Sequence, residues 1–221
     1  MDAVLANLDV FGIGILRTLY LTFWAGLLAL VLGTLLAAMR VGPIGSLRIA
    51  ATGYVTLVRN TPLTLVLFFT GFGLPILQVT LTPDPGLRFR IFAILGLGCY
   101  TAAFVCEVLR SGVNTVPVGQ AEAARSIGLG FGGVLGSVIL PQAFRAVLAP
   151  LGSVFIALAK NTSIASAFNS PELLSAVRNV IEVRGDAVIA ILLAGAVAYL
   201  AISLGLSGLF RLLEIRYRVQ T

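Results

Sequence analysis

The chain has 221 residues, 58 % of them hydrophobic and 11 % charged, with a mean hydropathy of +1.04. A soluble domain carries about 25 % charged residues, so most of this surface must face lipid, and the chain reads as one integral membrane domain. The net charge of +6 comes without a basic, aromatic-interleaved patch, which removes nucleic acid as a partner. With no histidine there is no imidazole metal site and no His-dependent triad. No Walker A loop, nucleophile elbow or paired catalytic carboxylates occur either, so an enzyme is not expected. Cys99 and Cys106, seven apart in one apolar run, read as inert thiols rather than a disulfide or metal pair.

Residues 1 to 10 hold Asp2 and Asp9 and no Lys or Arg, unlike a secretory leader, so the first apolar run is expected to be retained. That run, about 11 to 39, is long enough to cross a core of about 30 Å with tilt. Arg17 sits near its start, Trp24 within it, and Arg40 and Arg48 flank the Gly42-Pro43 turn that follows. The second run, about 48 to 78, is broken by Arg59-Asn60-Thr61-Pro62. Pro62 cannot donate to a helical ladder, which predicts a lead-in helix, a kink and a span ending near Gly73-Leu74-Pro75. After a proline-rich outer loop, the third span runs about 90 to 110 and the fourth about 143 to 166. A mixed stretch, 167 to 185, suits a short helix at the outer interface, and the fifth span covers about 186 to 210.

The prediction is therefore an all-α polytopic bundle of about five membrane helices. Placing the N-terminus outside puts Arg40, Arg48, Arg110, Arg125, Arg145, Arg211, Arg216 and Arg218 on the inner side, eight positive charges. The outer loops then carry four, Arg88, Arg90, Arg178 and Arg184. Lys and Arg set orientation, so the expected topology is N-out, C-in.

Between the third and fourth spans, residues 113 to 141 are too glycine-rich and broken to cross a bilayer; their only charges are Glu122 and Arg125. Pro117 suits the first turn of a helix and Gly128 a left-handed cap, predicting a short helix over 117 to 127. A second short helix after the glycines would lead to Pro141. Small residues beside one carboxylate let another surface approach closely and make a charge-assisted hydrogen bond. The segment reads as a docking knob.

Ionisable groups inside spans usually face the bundle interior or a water-filled path. Three qualify: Arg59, Glu107 and Lys160. In one reading Arg59 or Lys160 meets the carboxylate of an anionic or zwitterionic solute, with Asn60, Thr61, Asn161, Thr162 and Ser163 adding neutral hydrogen bonds. In the other, Glu107 forms an internal ion pair with Arg59, Arg110 or Lys160. For Glu107 the structural role is favoured, because Arg110 shares its helix face at i+3. Lys160 leans towards the solute path.

The spacing Glu122-Ala123-Ala124, then Gly128, then Val138-x-Leu140-Pro141 resembles the cytoplasmic EAA loop of ABC importer permeases, with Val138 in place of the more usual isoleucine. Arg59-Asn60-Thr61-Pro62, Glu107 with Arg110-Ser111-Gly112, and Lys160-Asn161-Thr162-Ser163 stand in the order seen in polar amino-acid permeases of type I ABC importers. The likeness covers about 12 to 212 and looks closest to the glutamate-uptake branch, with Asn60 where many relatives have glycine. It implies two permease chains, alike or paralogous, two ATPase subunits that bind ATP and Mg, and an extracytoplasmic solute-binding protein, in the cytoplasmic membrane of a prokaryote. It implies that Glu122 pairs with a basic residue of the ATPase, while Ala123, Ala124 and Gly128 permit close packing. Two other classes compete: a gradient-driven secondary transporter, for which only the Pro62 kink speaks, and a purely structural subunit, which would not need intramembrane Arg, Glu and Lys.

Overall fold

The computed structural model describes residues 2 to 217, so Arg218, counted among the inner-face charges, lies outside the described residues. Apolar sequence in lipid must satisfy every backbone group internally, and helices do so. After a helical turn at Asp2–Leu5, α1 runs Leu8–Val41 and α2 Gly45–Arg59; α3 follows over Leu63–Ile76 and α4 over Pro85–Asn114. A short α5, Val118–Ser126, precedes α6, Leu140–Ala165; α7 is Leu173–Val183 and α8 is Val188–Tyr217.

Among the described residues four helices are long and apolar enough to cross a membrane, and α2 with α3 makes a fifth if the bent pair counts as one span. That pair turns by 100° at Asn60-Thr61-Pro62, a sharper break than the predicted kink. Pro62 removes a donor, and the Thr61 hydroxyl donates to the Leu57 carbonyl at 2.8 Å, covering one of the freed acceptors. Within α3 the ladder widens to a π turn over Phe69–Gly73.

α4 is the centre of the bundle, packed by α1 and α2 on one side and α6 on the other, while α8 lies along α6. The α1–α4 contact rests on small residues at every fourth position, Ala25, Ala29, Gly33 and Ala37, all buried. A Cβ on Gly33 would lie 2.9 Å from the Ala102 carbonyl of α4, so the helices approach almost backbone to backbone, as small residues allow in lipid. The outer helices show the reverse pattern. Leu16, Phe23, Val31 and Leu35 on α1, and Ile189, Leu193, Val197 and Leu204 on α8, are more than half exposed and form the lipid-facing surface.

Two local predictions change. Pro117 does not enter α5 but stands just before it with ψ 133°, its carbonyl accepting from the Gln120 amide at 3.0 Å. No separate short helix leads to Pro141. From Phe131 the chain winds through a π turn, Val134–Ile139, straight into α6 with Pro141 in its first turn. Proline has no N–H for the ladder, and the wide turn upstream takes up the mismatch.

Candidate functional site

Glu107, seven residues before the end of α4, receives three arginines. Arg40 of α1 reaches Oε1 at 2.5 Å and Arg59 of α2 reaches the same oxygen at 3.3 Å. Arg110, one turn on along α4, grips Oε2 through Nη2 at 2.9 Å and Nε at 3.2 Å. The carboxylate therefore ties three helices together. Of the predicted partners, Arg59 and Arg110 are present and Lys160 takes no part; Arg40, placed by the sequence in an inner loop, makes the shortest contact. A signal for Arg40 was available in the small-residue stripe of α1, whose last member, Ala37, packs with Ala103 and Cys106 of α4. Three residues further along, Arg40 reaches the next turn of α4 on that side.

Arg59 is the least enclosed of the three, its side chain 47 % exposed against 14 % for Arg40. Its guanidinium also lies over the Phe104 ring, 5.8 Å from the centroid, a cation–π contact. Asn60 and Thr61 follow at the α2–α3 break, Asn60 exposed. Lys160 points out of the chain from the last third of α6, with no ion-pair partner among the described residues. Asn161 lines a cavity of about 260 Å³ with Tyr100, Phe104, Ser153 and Ala157. Thr162 is fully buried, its hydroxyl donating to the Ala159 carbonyl, and the Ser163 hydroxyl donates to that of Lys160, each at 2.8 Å.

In α5, Glu122, Ala123 and Arg125 are exposed and Ala124 turns inward. Gly128 ends the helix at φ +90°; its amide donates to Arg125 at 2.9 Å and that of Leu129 to Ala124 at 3.1 Å, the paired bonds of a Schellman stop. Gln142 of α6 donates to the Gln120 side chain at 2.7 Å and to the Val138 carbonyl at 2.8 Å, pinning α5 to the base of α6. That tie was not legible in the sequence, since a glutamine pair 22 residues apart has no periodic signature.

Residues 9–219 match the binding-protein-dependent transport system inner membrane component family. This chain belongs to that family. It is 44 % identical over 204 residues to the glutamate transport system permease protein GluC of Corynebacterium efficiens, covering 89 % of this chain and 90 % of that one. It is 34 % identical over 205 residues to the probable glutamine ABC transporter permease protein GlnP of Bacillus subtilis, covering 92 % and 91 %. A crystal structure of an amino acid ABC transporter with histidines superposes with a TM-score of 0.87 at 28 % identity, over 96 % of each chain. The protein is thus a multi-pass inner-membrane permease subunit of an amino-acid ABC importer, a transport component without catalytic activity of its own. Its family works with an ATPase and a substrate-binding partner.

Proposed function

We propose that this permease carries glutamate into a prokaryotic cell, driven by a separate ATPase that docks on α5. The supporting observation is the 44 % identity to a glutamate permease over nearly the whole chain. The charge pattern agrees with it: Arg59 stands half exposed beside a cavity, and Lys160 faces out of the subunit where lipid would be a poor neighbour. A second permease chain, identical or paralogous, covers that face and completes the pathway. The N-terminus lies outside and α5 in the cytoplasm, in line with the excess of arginine on that side.

In this reading ATP and Mg are bound by the partner, and ATP binding draws the two docking helices together. Glu122 offers its carboxylate to a basic group of the ATPase, with Arg125 beside it. Ala123 and Gly128 keep the contact close, and Ala124 seats α5 on the bundle. The movement passes through the Gln120–Gln142 tie into α6, and the spans switch as rigid bodies between inward- and outward-facing states. The 34 % identity to a probable glutamine permease favours glutamine as the second substrate reading.

The test is a pull-down from mild detergent with Glu122→Lys, recording ATPase activity as solute-loaded binding protein is added. An ATPase subunit is expected to accompany the wild type and to be lost or uncoupled in the variant. A wild type that brings down no ATPase overturns the coupling assignment. Uptake competition between glutamate, glutamine and aspartate then settles the cargo.

A further inference from the structure

Two cavities lie along the seam between α4 and α6, and one side chain stands between them. The first is the cavity of Tyr100, Phe104 and Asn161 described above. The second, of about 330 Å³, opens one to two turns nearer α5 and is lined by Arg59, Glu107, Arg110, Ser111, Ala146 and Pro150 among others. Phe104 and Ser111, which line one each, are seven residues apart on α4, about 10 Å along the helix. Arg59 lines the second space, 3.3 Å from the Glu107 carboxylate, and its guanidinium lies over the ring of Phe104, which lines the first.

The walls of the second cavity complement an amino acid. Three guanidinium groups share one carboxylate, leaving two positive charges over. Arg40 and Arg110 already satisfy both oxygens of Glu107, so Arg59 is the surplus donor. Across the seam, Pro150 inside α6 has no N–H, which deprives the Ala146 carbonyl of its helical donor. Both residues line the space. One wall thus offers guanidinium groups to a carboxylate, and the other offers a freed carbonyl to an ammonium group. In broken membrane helices, freed backbone carbonyls coordinate cations, and an ammonium group makes the same demand. Opposed donor and acceptor walls suit a small zwitterion better than an anionic lipid headgroup, which has no use for the acceptor.

We infer that this second cavity is a release subsite for the transported amino acid, and that Arg59 hands the solute carboxylate to it from the first cavity by exchanging with Glu107. The inference rests on the amino-acid importer reading, and within it on the carboxylate common to every amino acid rather than on glutamate alone. Glu107 acts here as a resident competitor: it holds Arg59 when the path is empty and yields it to an incoming carboxylate.

The experiment uses the assembled importer, with its ATPase and partner permease, in vesicles of phosphatidylcholine alone so that no anionic headgroup competes. Wild-type uptake is first measured for labelled glutamate, glutamine, aspartate and arginine. Ala146→Phe, which fills the second cavity from an exposed position without changing the number of charges, is expected to lower uptake of the preferred amino acid at least tenfold. Stimulation of ATP hydrolysis by loaded binding protein should stay within twofold of wild type. In parallel, Ser111→Cys in a Cys99→Ser, Cys106→Ala background is labelled from the α5 side with an anionic, membrane-impermeant thiol reagent. The preferred amino acid at millimolar concentration should slow labelling at least fivefold. If glutamine is carried in place of glutamate and slows labelling, the glutamate reading falls and the subsite stands. If glutamate is carried, but Ala146→Phe transports within twofold of wild type and labelling is unaffected, the subsite is overturned and the glutamate reading stands. A wild type that carries none of the four overturns both.

Discussion

Two glutamates sit inside this bundle, and they are held in opposite ways. Glu107, on the central helix, meets three arginines from three helices and keeps 21 % of its side chain open beside a cavity. Glu172, within the 167 to 185 stretch expected at the outer interface, is 1 % exposed. No cation among the described residues lies within ion-pair distance of it. Its partners are neutral. Oε1 accepts from the Ser175 amide at 3.2 Å, and Oε2 accepts from the Tyr199 hydroxyl of α8 and, at 3.4 Å, from that of Thr18 on α1. The Ser175 hydroxyl accepts in return from the Glu172 amide, completing a capping box at the start of α7. Thr18 also accepts from the Leu173 amide at 3.2 Å.

The difference separates a joint from the proposed subsite. A carboxylate enclosed by hydroxyls and backbone amides has nothing left to exchange, and it locks α7 to α1 and α8. A carboxylate with more cations than it can neutralise, beside open space, is part of something that can bind. The first is static and the second is poised.

Removing Glu107 should have the largest effect. In Glu107→Leu, Arg40 and Arg110 face one another with no counter-charge, at a cost of about 2–4 kcal/mol, scaled down from the 3–5 of a fully buried pair because these side chains are partly open. Thermal unfolding of the purified complex should show a fall in Tm of several degrees; an unchanged Tm would mean the cluster does not hold the helices. Next is Tyr199→Phe, which strips one buried hydrogen bond from Glu172 and should cost about 1–2 kcal/mol. Uptake per folded molecule should stay at the wild-type level. A loss of uptake there, at unchanged stability, would move Glu172 from joint to site and break the comparison. The smallest effect on stability is expected for Arg59→Lys, within about 1 kcal/mol, since the pair is half exposed. Uptake should nevertheless fall about tenfold, because an ammonium lacks the planar fork that engages a carboxylate and a ring face together. Full uptake in that variant would make Arg59 a bystander.

Much of the molecule was legible from the chain alone. Long apolar runs, the break at Pro62 and the glycine stop at Gly128 are properties of local sequence, because span length, proline and glycine act on the backbone whatever surrounds them. The EAA spacing belonged to the same level and carried the family. Arg59 and Arg110 were recognisable as partners of Glu107, since a cation in a span must find an anion and few were on offer. What the sequence could not decide is which helix faces meet. Arg40 counted as a loop charge until close packing of Gly33 and Ala37 against α4 swung it onto Glu107, and of the three partners offered for Glu107 only Lys160 is turned away, by the face of α6 it occupies. The burial of Glu172 left no trace in the sequence, because nothing in its neighbourhood along the chain is shared with Thr18 or Tyr199, 154 and 27 residues distant. Local rules set where helices begin, bend and end. Only the packing of one helix on another determined which charges are shared, which are sealed, and which remain open.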